Sequence, residues 1–140
     1  FLYLDRALNQ LGQSGTTYDC GEGGTTLRFF ALCASRRPGE YVIKGSRRLF
    51  SRPQLEIVKI LDQLGVRSEL SEKQLKISSA GWKQNSAGGP VAVSQTESSQ
   101  FLTALLINSW KLNFPMEIRV SGEKLSEAYL EMTLQFLGEL

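Results

Sequence analysis

The sequence predicts an α/β protein, α+β in its detailed mix, in which helices pack against short mixed sheets. Apolar residues recur at helical spacing in some segments and bunch or alternate in short β-prone runs in others. The two kinds follow one another in the order α, α, β, α, β, β, β, α, β, α. An internal echo adds a third observation: strand, Gly45, polar turn, helix and Leu64-Gly65 return as strand, Gly122, polar turn, helix and Leu137-Gly138. The second copy is shorter by about one helical turn, and the pattern reads as repeated α/β units.

Bulk properties set the limits. A chain of 140 residues is one domain's worth, and a domain of this size buries roughly 70% of the surface its unfolded chain exposes. Hydrophobic residues at 41%, charged residues at 21% and four prolines exclude disordered and fibrous classes. The formal net charge of +2 is too small for a dedicated nucleic-acid binder. No apolar run reaches the roughly 18 residues that a membrane span needs.

Histidine is absent, and Cys20 and Cys33 are the only cysteines. Zinc sites of the CxxC or HxxxH kind and histidine-based catalysis are thereby excluded. The thiols are expected to be free, as in a reducing compartment, with a disulfide as the alternative. Phe1-Leu2-Tyr3-Leu4-Asp5 lacks the features of a signal peptide, and both ends read as cuts within a longer chain.

Taken in order, Leu2, Leu4, Leu8 and Leu11 predict a short helix stopped by Gly12. The glycine cluster Gly21 to Gly24 opens a second helix, whose face carries Leu27, Phe30, Ala31 and Ala34. Pro38-Gly39 turns the chain into a strand, Glu40 to Lys44. Pro53 suits the first turn of the next helix, where Leu55, Val58, Leu61 and Leu64, with Ile57 and Ile60, form an apolar stripe ended by Gly65. Val66 to Leu70 and Gln74 to Ile77 read as a hairpin, Trp82 to Gly89 as a loop, and Pro90 to Val93 as a strand. A helix follows Ser98-Ser99-Gln100, then a strand at Glu117 to Val120 and a helix from Ser126 to Leu137.

Four segments carry candidate chemistry, each with a plain structural alternative. The loop Gly21-Glu22-Gly23-Gly24 before a helix, with Arg28 one turn in, is either an anion site or a tight connection. It matches neither the dinucleotide nor the P-loop pattern. Lys44, Arg47, Arg48 and Arg52 form either an anion-holding cluster or a solvated basic turn. Ser98 and Ser99 offer hydroxyls beside helix N–H groups, suited to phosphate or to ordinary capping. Ser126 and Tyr129, three apart on one helical face, face a ligand or serve as cap and packed aromatic. Glu22 and Glu97 lie in loops beside polar clusters, but nothing in the spacing pairs them as acid and base. Trp82 and Trp110 read as core or edge aromatics rather than a stacking platform.

In chain order and over about Gly21 to Gly138, these segments resemble the 5-enolpyruvylshikimate-3-phosphate synthase family. Gly24-Thr25-Thr26-Leu27-Arg28 is similar to the family's glycine-threonine-arginine motif, and Arg48-Leu49-Phe50-Ser51-Arg52-Pro53 to its arginine-x-x-x-arginine-proline turn. Ser98-Ser99-Gln100-Phe101-Leu102-Thr103-Ala104-Leu105-Leu106 resembles its most recognisable segment. At Ser126-Glu127-Ala128-Tyr129 the family's serine and tyrosine persist while the two residues between them differ. Glu22 stands where the family commonly has asparagine.

The resemblance implies the enolpyruvyl transferase fold of repeated βαβαββ-type units. It also implies transfer of the enolpyruvyl group of phosphoenolpyruvate to the 5-hydroxyl of shikimate 3-phosphate, with no metal or organic cofactor. Residues 1–140 are then expected to be a single unit, part of the N-terminal, shikimate 3-phosphate-binding domain of a two-domain enzyme. By the same resemblance Ser98, Ser99 and Ser126 hold the shikimate phosphate, and Gln100 and Tyr129 the ring and its hydroxyls. Gly24, Arg48, Gln100 and Arg28 hold phosphoenolpyruvate. No catalytic group is expected in this span, and the fragment is expected to be inactive alone. The implied partners are the two small-molecule anions and the second domain, with no nucleic acid and no membrane, in a cytoplasmic monomer. A non-catalytic anion-binding or interaction domain of the same architecture is the alternative.

Overall fold

The computed structural model describes residues 13–85, 88–122 and 127–139. The helix expected over residues 2 to 11 lies outside the described residues. In chain order the elements are β1 (Thr16–Asp19), α1 (Gly24–Ser35), β2 (Gly39–Lys44), α2 (Arg47–Phe50), α3 (Leu55–Gln63), β3 (Arg67–Leu70) and β4 (Gln74–Ser79). Then follow β5 (Val91–Ser94), α4 (Gln100–Asn108), β6 (Ile118–Ser121) and α5 (Glu127–Gly138).

Two sheets result. β1 pairs parallel with β2, setting Thr16 opposite Tyr41, and α1 makes the crossover that a parallel pair requires. The hairpin β3–β4 then adds antiparallel to β2, giving the strand order β1-β2-β4-β3. With α3 between β2 and β3, this is one complete βαβαββ unit. β5 and β6 pair parallel with α4 between them, and α5 follows, so a second unit repeats the first as far as βαβα.

The echo seen in the sequence has a structural basis. Cys20 donates its backbone N–H to Lys44 O at 2.8 Å, and Gln95 does the same to Ser121 O at 2.9 Å at the matching place in the second unit. Gly45 and Gly122 close each strand pair against the loop that leads into the helix. A Cβ on Gly45 would stand 2.8 Å from Gly21 O, and one on Gly122, whose φ is +95°, 2.8 Å from Thr96 Oγ1.

The four-stranded sheet is covered on one face. Tyr18, Tyr41, Ile43, Leu75 and Ile77 point into the core while Thr17, Asp19, Lys44 and Lys76 point out, the alternation that a half-buried strand produces. Leu27, Phe30, Ala31 and Ala34 of α1 meet that face, as the helical period predicts, and Tyr18 stacks on Phe30 at 5.8 Å between centroids. Trp82 is buried and donates its indole N–H to Ser35 Oγ at 2.8 Å, whereas Trp110 lies at the surface beside Lys111.

Four readings of the sequence change, the first being that the polar turn after Gly45 folds as the short helix α2, capped by Ser46 Oγ accepting from Leu49 N. β1 was not anticipated: Thr-Thr-Tyr-Asp has one large apolar side chain and no run around it. Pro53 lies just before the α3 N-cap Gln54 rather than inside the first turn. The α3 stripe is rotated, since Leu55 is 64% exposed while Glu56 and Gln54 are buried beside Ile57, Ile60 and Leu61.

The rotation has a purpose in the packing. Glu56 Oε1 accepts the Ser94 backbone N–H at 2.6 Å, and Gln63 both accepts from Ala92 N at 2.7 Å and donates to Ala92 O at 3.0 Å. Side chains of α3 thus satisfy the outer edge of β5 and join the two units.

Both cysteines are free thiols, Cys20 buried and Cys33 half-buried. Burial, and then the neighbouring Asp19 carboxylate, push the Cys20 thiol from 9.0 up to about 12. Above pH about 9 the unfolded chain has lost a proton that the folded chain keeps, so stability falls with rising pH, by up to about 1.4 kcal/mol per unit from this group. Cys20→Ala is expected to flatten that fall in urea unfolding followed from neutral to alkaline pH. An equally steep fall in the variant would show that Cys20 is not its source.

Candidate functional site

As crossover helices of matching units, α1 and α4 both begin at the carboxyl end of the first strand of a parallel pair, after loops rich in glycine, serine and threonine. They pack side by side, and Asn108 Nδ2 bridges them to Phe29 O at 3.3 Å. Helix N-termini carry partial positive charge and unpaired N–H groups, and two of them together favour an anion. No side chain caps α1 after Gly23. At α4 the side chain of the N-cap residue Ser99 makes no capping bond, and Ser98 Oγ instead accepts the Gln100 N–H at 3.2 Å.

A cleft of about 460 Å³ opens there. Thr25 and Phe29 of α1 form one wall, Ser98, Ser99, Gln100 and Thr103 at the start of α4 the floor, and Tyr129, Met132 and Thr133 of α5 the other wall. Tyr129 is 62% exposed and its ring stands at the rim.

Beneath the floor lies Arg28, only 3% exposed, with its guanidinium 4.4 Å from the centre of the Phe101 ring. Nη1 donates to Ser98 Oγ at 3.2 Å and to Gln100 Oε1 at 2.5 Å. Burial lowers its pKa below the ordinary arginine value, the nearby Arg52 charge adds to this, and Glu97 opposes it. Arg52 itself reaches over the start of α1: a Cβ on Gly24 would stand 3.2 Å from Arg52 Nη1. That approach is open because the residue there is glycine.

Of the residues singled out in the sequence, Ser98, Ser99, Gln100 and Tyr129 line one cleft, and Arg28 contacts two of them from below. Gly24 is buried at the α1 N-terminus beside Arg52. Arg48 is exposed on α2 and does not line the cleft. Arg47 pairs with Glu72 at 3.2 Å on the surface, and Lys44 lines a different cleft with Asp19, Ser46 and Lys73. The basic cluster of the sequence is therefore divided, with Arg52 as the member nearest α1. Ser126 lies outside the described residues. Glu22 and Glu97 occupy matching places in the two units, both exposed.

Thr25, Phe29, Thr103, Met132 and Thr133 were not anticipated. Helical spacing from residues already chosen reaches all but Phe29, since Thr25 stands three before Arg28, Thr103 three beyond Gln100, and Met132 and Thr133 three and four beyond Tyr129.

The family model for EPSP synthase (3-phosphoshikimate 1-carboxyvinyltransferase) matches residues 4–140. The chain belongs to the EPSP synthase family. Among curated relatives, the 3-phosphoshikimate 1-carboxyvinyltransferase of Psychromonas ingrahamii is 33% identical over 140 residues, covering 97% of this chain and 32% of the relative. That of Korarchaeum cryptofilum is 36% identical over 124 residues, covering 85% and 28%, and that of Mannheimia haemolytica 31% over 134 residues, covering 91% and 30%. The chain thus spans about a third or less of the length of these EPSP synthases. The mixed α/β fold with short mixed sheets agrees with membership of the EPSP synthase family. Among the described residues no helix is long and apolar enough to cross a membrane.

Proposed function

We propose that this chain is the shikimate 3-phosphate-holding part of an EPSP synthase, from the N-terminal domain of a two-domain cytoplasmic enzyme. The whole enzyme transfers the enolpyruvyl group of phosphoenolpyruvate to the 5-hydroxyl of shikimate 3-phosphate. Its first support is the family name; its structural support is the cleft that gathers Ser98, Ser99, Gln100 and Tyr129 over a buried guanidinium at a helix N-terminus.

In this reading Ser98 and Ser99, with Ser126, donate to the ligand's phosphate, while Gln100 and Tyr129 contact the ring and its hydroxyls. Gly24, Arg28, Gln100 and Arg48 contribute to the phosphoenolpyruvate side, with the Arg52 guanidinium beside Gly24 as an addition from the structure. Both ligands are polyanions, and charge-assisted bonds from hydroxyls, N–H groups and guanidinium are the strong kind. Turnover needs a second domain to close over both ligands, exclude water and hold them in line. The chain alone is therefore inactive.

Titrating shikimate 3-phosphate while following backbone amide resonances tests the reading. Shifts are expected at Ser98, Ser99, Gln100 and Tyr129. Shifts confined to other regions would refute the site, and product formed from both substrates would refute the inactivity.

A further inference from the structure

Arg28 fixes the direction in which hydrogen bonds can run across the floor of the cleft. A serine hydroxyl has one proton and two lone pairs, and a carboxamide accepts at oxygen and donates at nitrogen. Ser98 Oγ accepts from the Gln100 backbone N–H and from Arg28 Nη1, each at 3.2 Å. With both lone pairs used, only its O–H remains for the cleft. Gln100 Oε1 faces Arg28 Nη1 at 2.5 Å, and a guanidinium has no acceptor to offer an amide NH2. The Gln100 oxygen is therefore turned inward and its Nε2 protons are left for the cleft.

We infer that Arg28 is a positioning residue that turns the Ser98 and Gln100 side chains into donors toward the cleft, selecting at those two positions ligand oxygens that accept, such as those of a phosphate, over groups that must donate. A contact serving only to join α1 and α4 would not need a cation, since Asn108 already bridges those helices with a neutral side chain. The guanidinium is buried, and among the described residues its Nε has no hydrogen-bond partner and no carboxylate lies within ion-pair distance of it. A buried charge so placed weakens the empty protein. Glu97 offsets this only from beyond ion-pair distance, and an anion above the floor brings negative charge closer, so the arrangement is stabilised by the ligand it selects.

The inference rests on the proposed anion site, and inorganic phosphate separates the two. Phosphate is titrated into the chain, R28M and Q100E while the Gln100 carboxamide and the Ser98 and Ser99 amides are followed by NMR. In the parent sequence the Gln100 NH2 protons are expected to shift with the two serine amides. R28M frees Gln100 to turn over and is expected to weaken phosphate about ten-fold or more. Q100E gives the guanidinium a carboxylate, so its Tm is expected to rise while phosphate binding falls by a similar factor.

If R28M does not fold, Q100E carries the test. Phosphate affinity unchanged in either variant, a Q100E Tm no higher than that of the parent, or no phosphate response at Gln100 in the parent would each overturn the inference. A response to inorganic phosphate with none to shikimate 3-phosphate would uphold it and remove the proposed substrate instead.

Discussion

Phe101→Ala is expected to cost about 3–5 kcal/mol of stability, a large part of the roughly 5–15 kcal/mol that holds a domain of this kind together. Phe101 is fully buried at the first turn of α4. Truncation removes its transfer free energy and leaves a cavity between packed helices, which cannot close without moving one of them. It also takes away the ring beneath the Arg28 guanidinium, 4.4 Å from its centre. A desolvated cation–π contact is worth up to about 2 kcal/mol. Phe101→Leu keeps most of the volume and not the ring, so it is expected to fall between parent and alanine variant. Urea unfolding measures all three. A loss below about 1.5 kcal/mol for the alanine variant, less than half the low end of the range, would mean that the ring is not the keystone of this packing.

Ser98→Ala is expected to act twice. Ser98 Oγ receives both the Gln100 N–H at the start of α4 and a guanidinium proton. Removing it leaves two donors short of a partner near the protein interior, at a cost of about 1–3 kcal/mol. It also removes the hydroxyl proton assigned to the ligand's phosphate, a charge-assisted bond of about 1.5–3 kcal/mol, so shikimate 3-phosphate affinity is expected to drop ten-fold or more. Ser98→Thr retains the hydroxyl and is expected to restore most of both. Calorimetric titration beside thermal unfolding separates the effects. A Ser98→Ala variant that binds like the parent would remove Ser98 from the ligand's surroundings.

The helices were legible where local chemistry and long-range packing agree. Leu27, Phe30, Ala31 and Ala34 share one face of α1 and are buried together, and the run after Ser99 behaves in the same way. In α3 the two disagree. Glu56 and Gln54 are inside because one accepts a backbone N–H from Ser94 and the other donates to the Leu49 carbonyl, bonds that no apolar period can foretell. β1 is short, polar and at a sheet edge, so its only strong signal is its partner β2, reached across a helix.

The site divides along the same line. Ser98, Ser99, Gln100 and Tyr129 could be read from motif and spacing, because each is exposed to the cleft from a helix start or a helix face. What Arg28 does could not be read so. It stands one turn into α1 like a solvated basic residue, and the partners that explain its burial lie 70 and 72 residues further on. The division of the basic cluster was equally hidden, since Arg47 on a four-residue helix pairs with Glu72 at the surface while Arg52, just past that helix, reaches the start of α1.

The carboxamide of Gln63 meets Ala92 as a neighbouring peptide group would, giving and taking one hydrogen bond each. During synthesis Gln63 leaves the ribosome well before Ala92, so α3 can be folded onto its own unit when β5 is still emerging. β5 can then dock on α3 before its strand partner β6 has been made. With Glu56 holding the Ser94 N–H beside it, Gln63 gives β5 a docking edge that the first unit can present without the second.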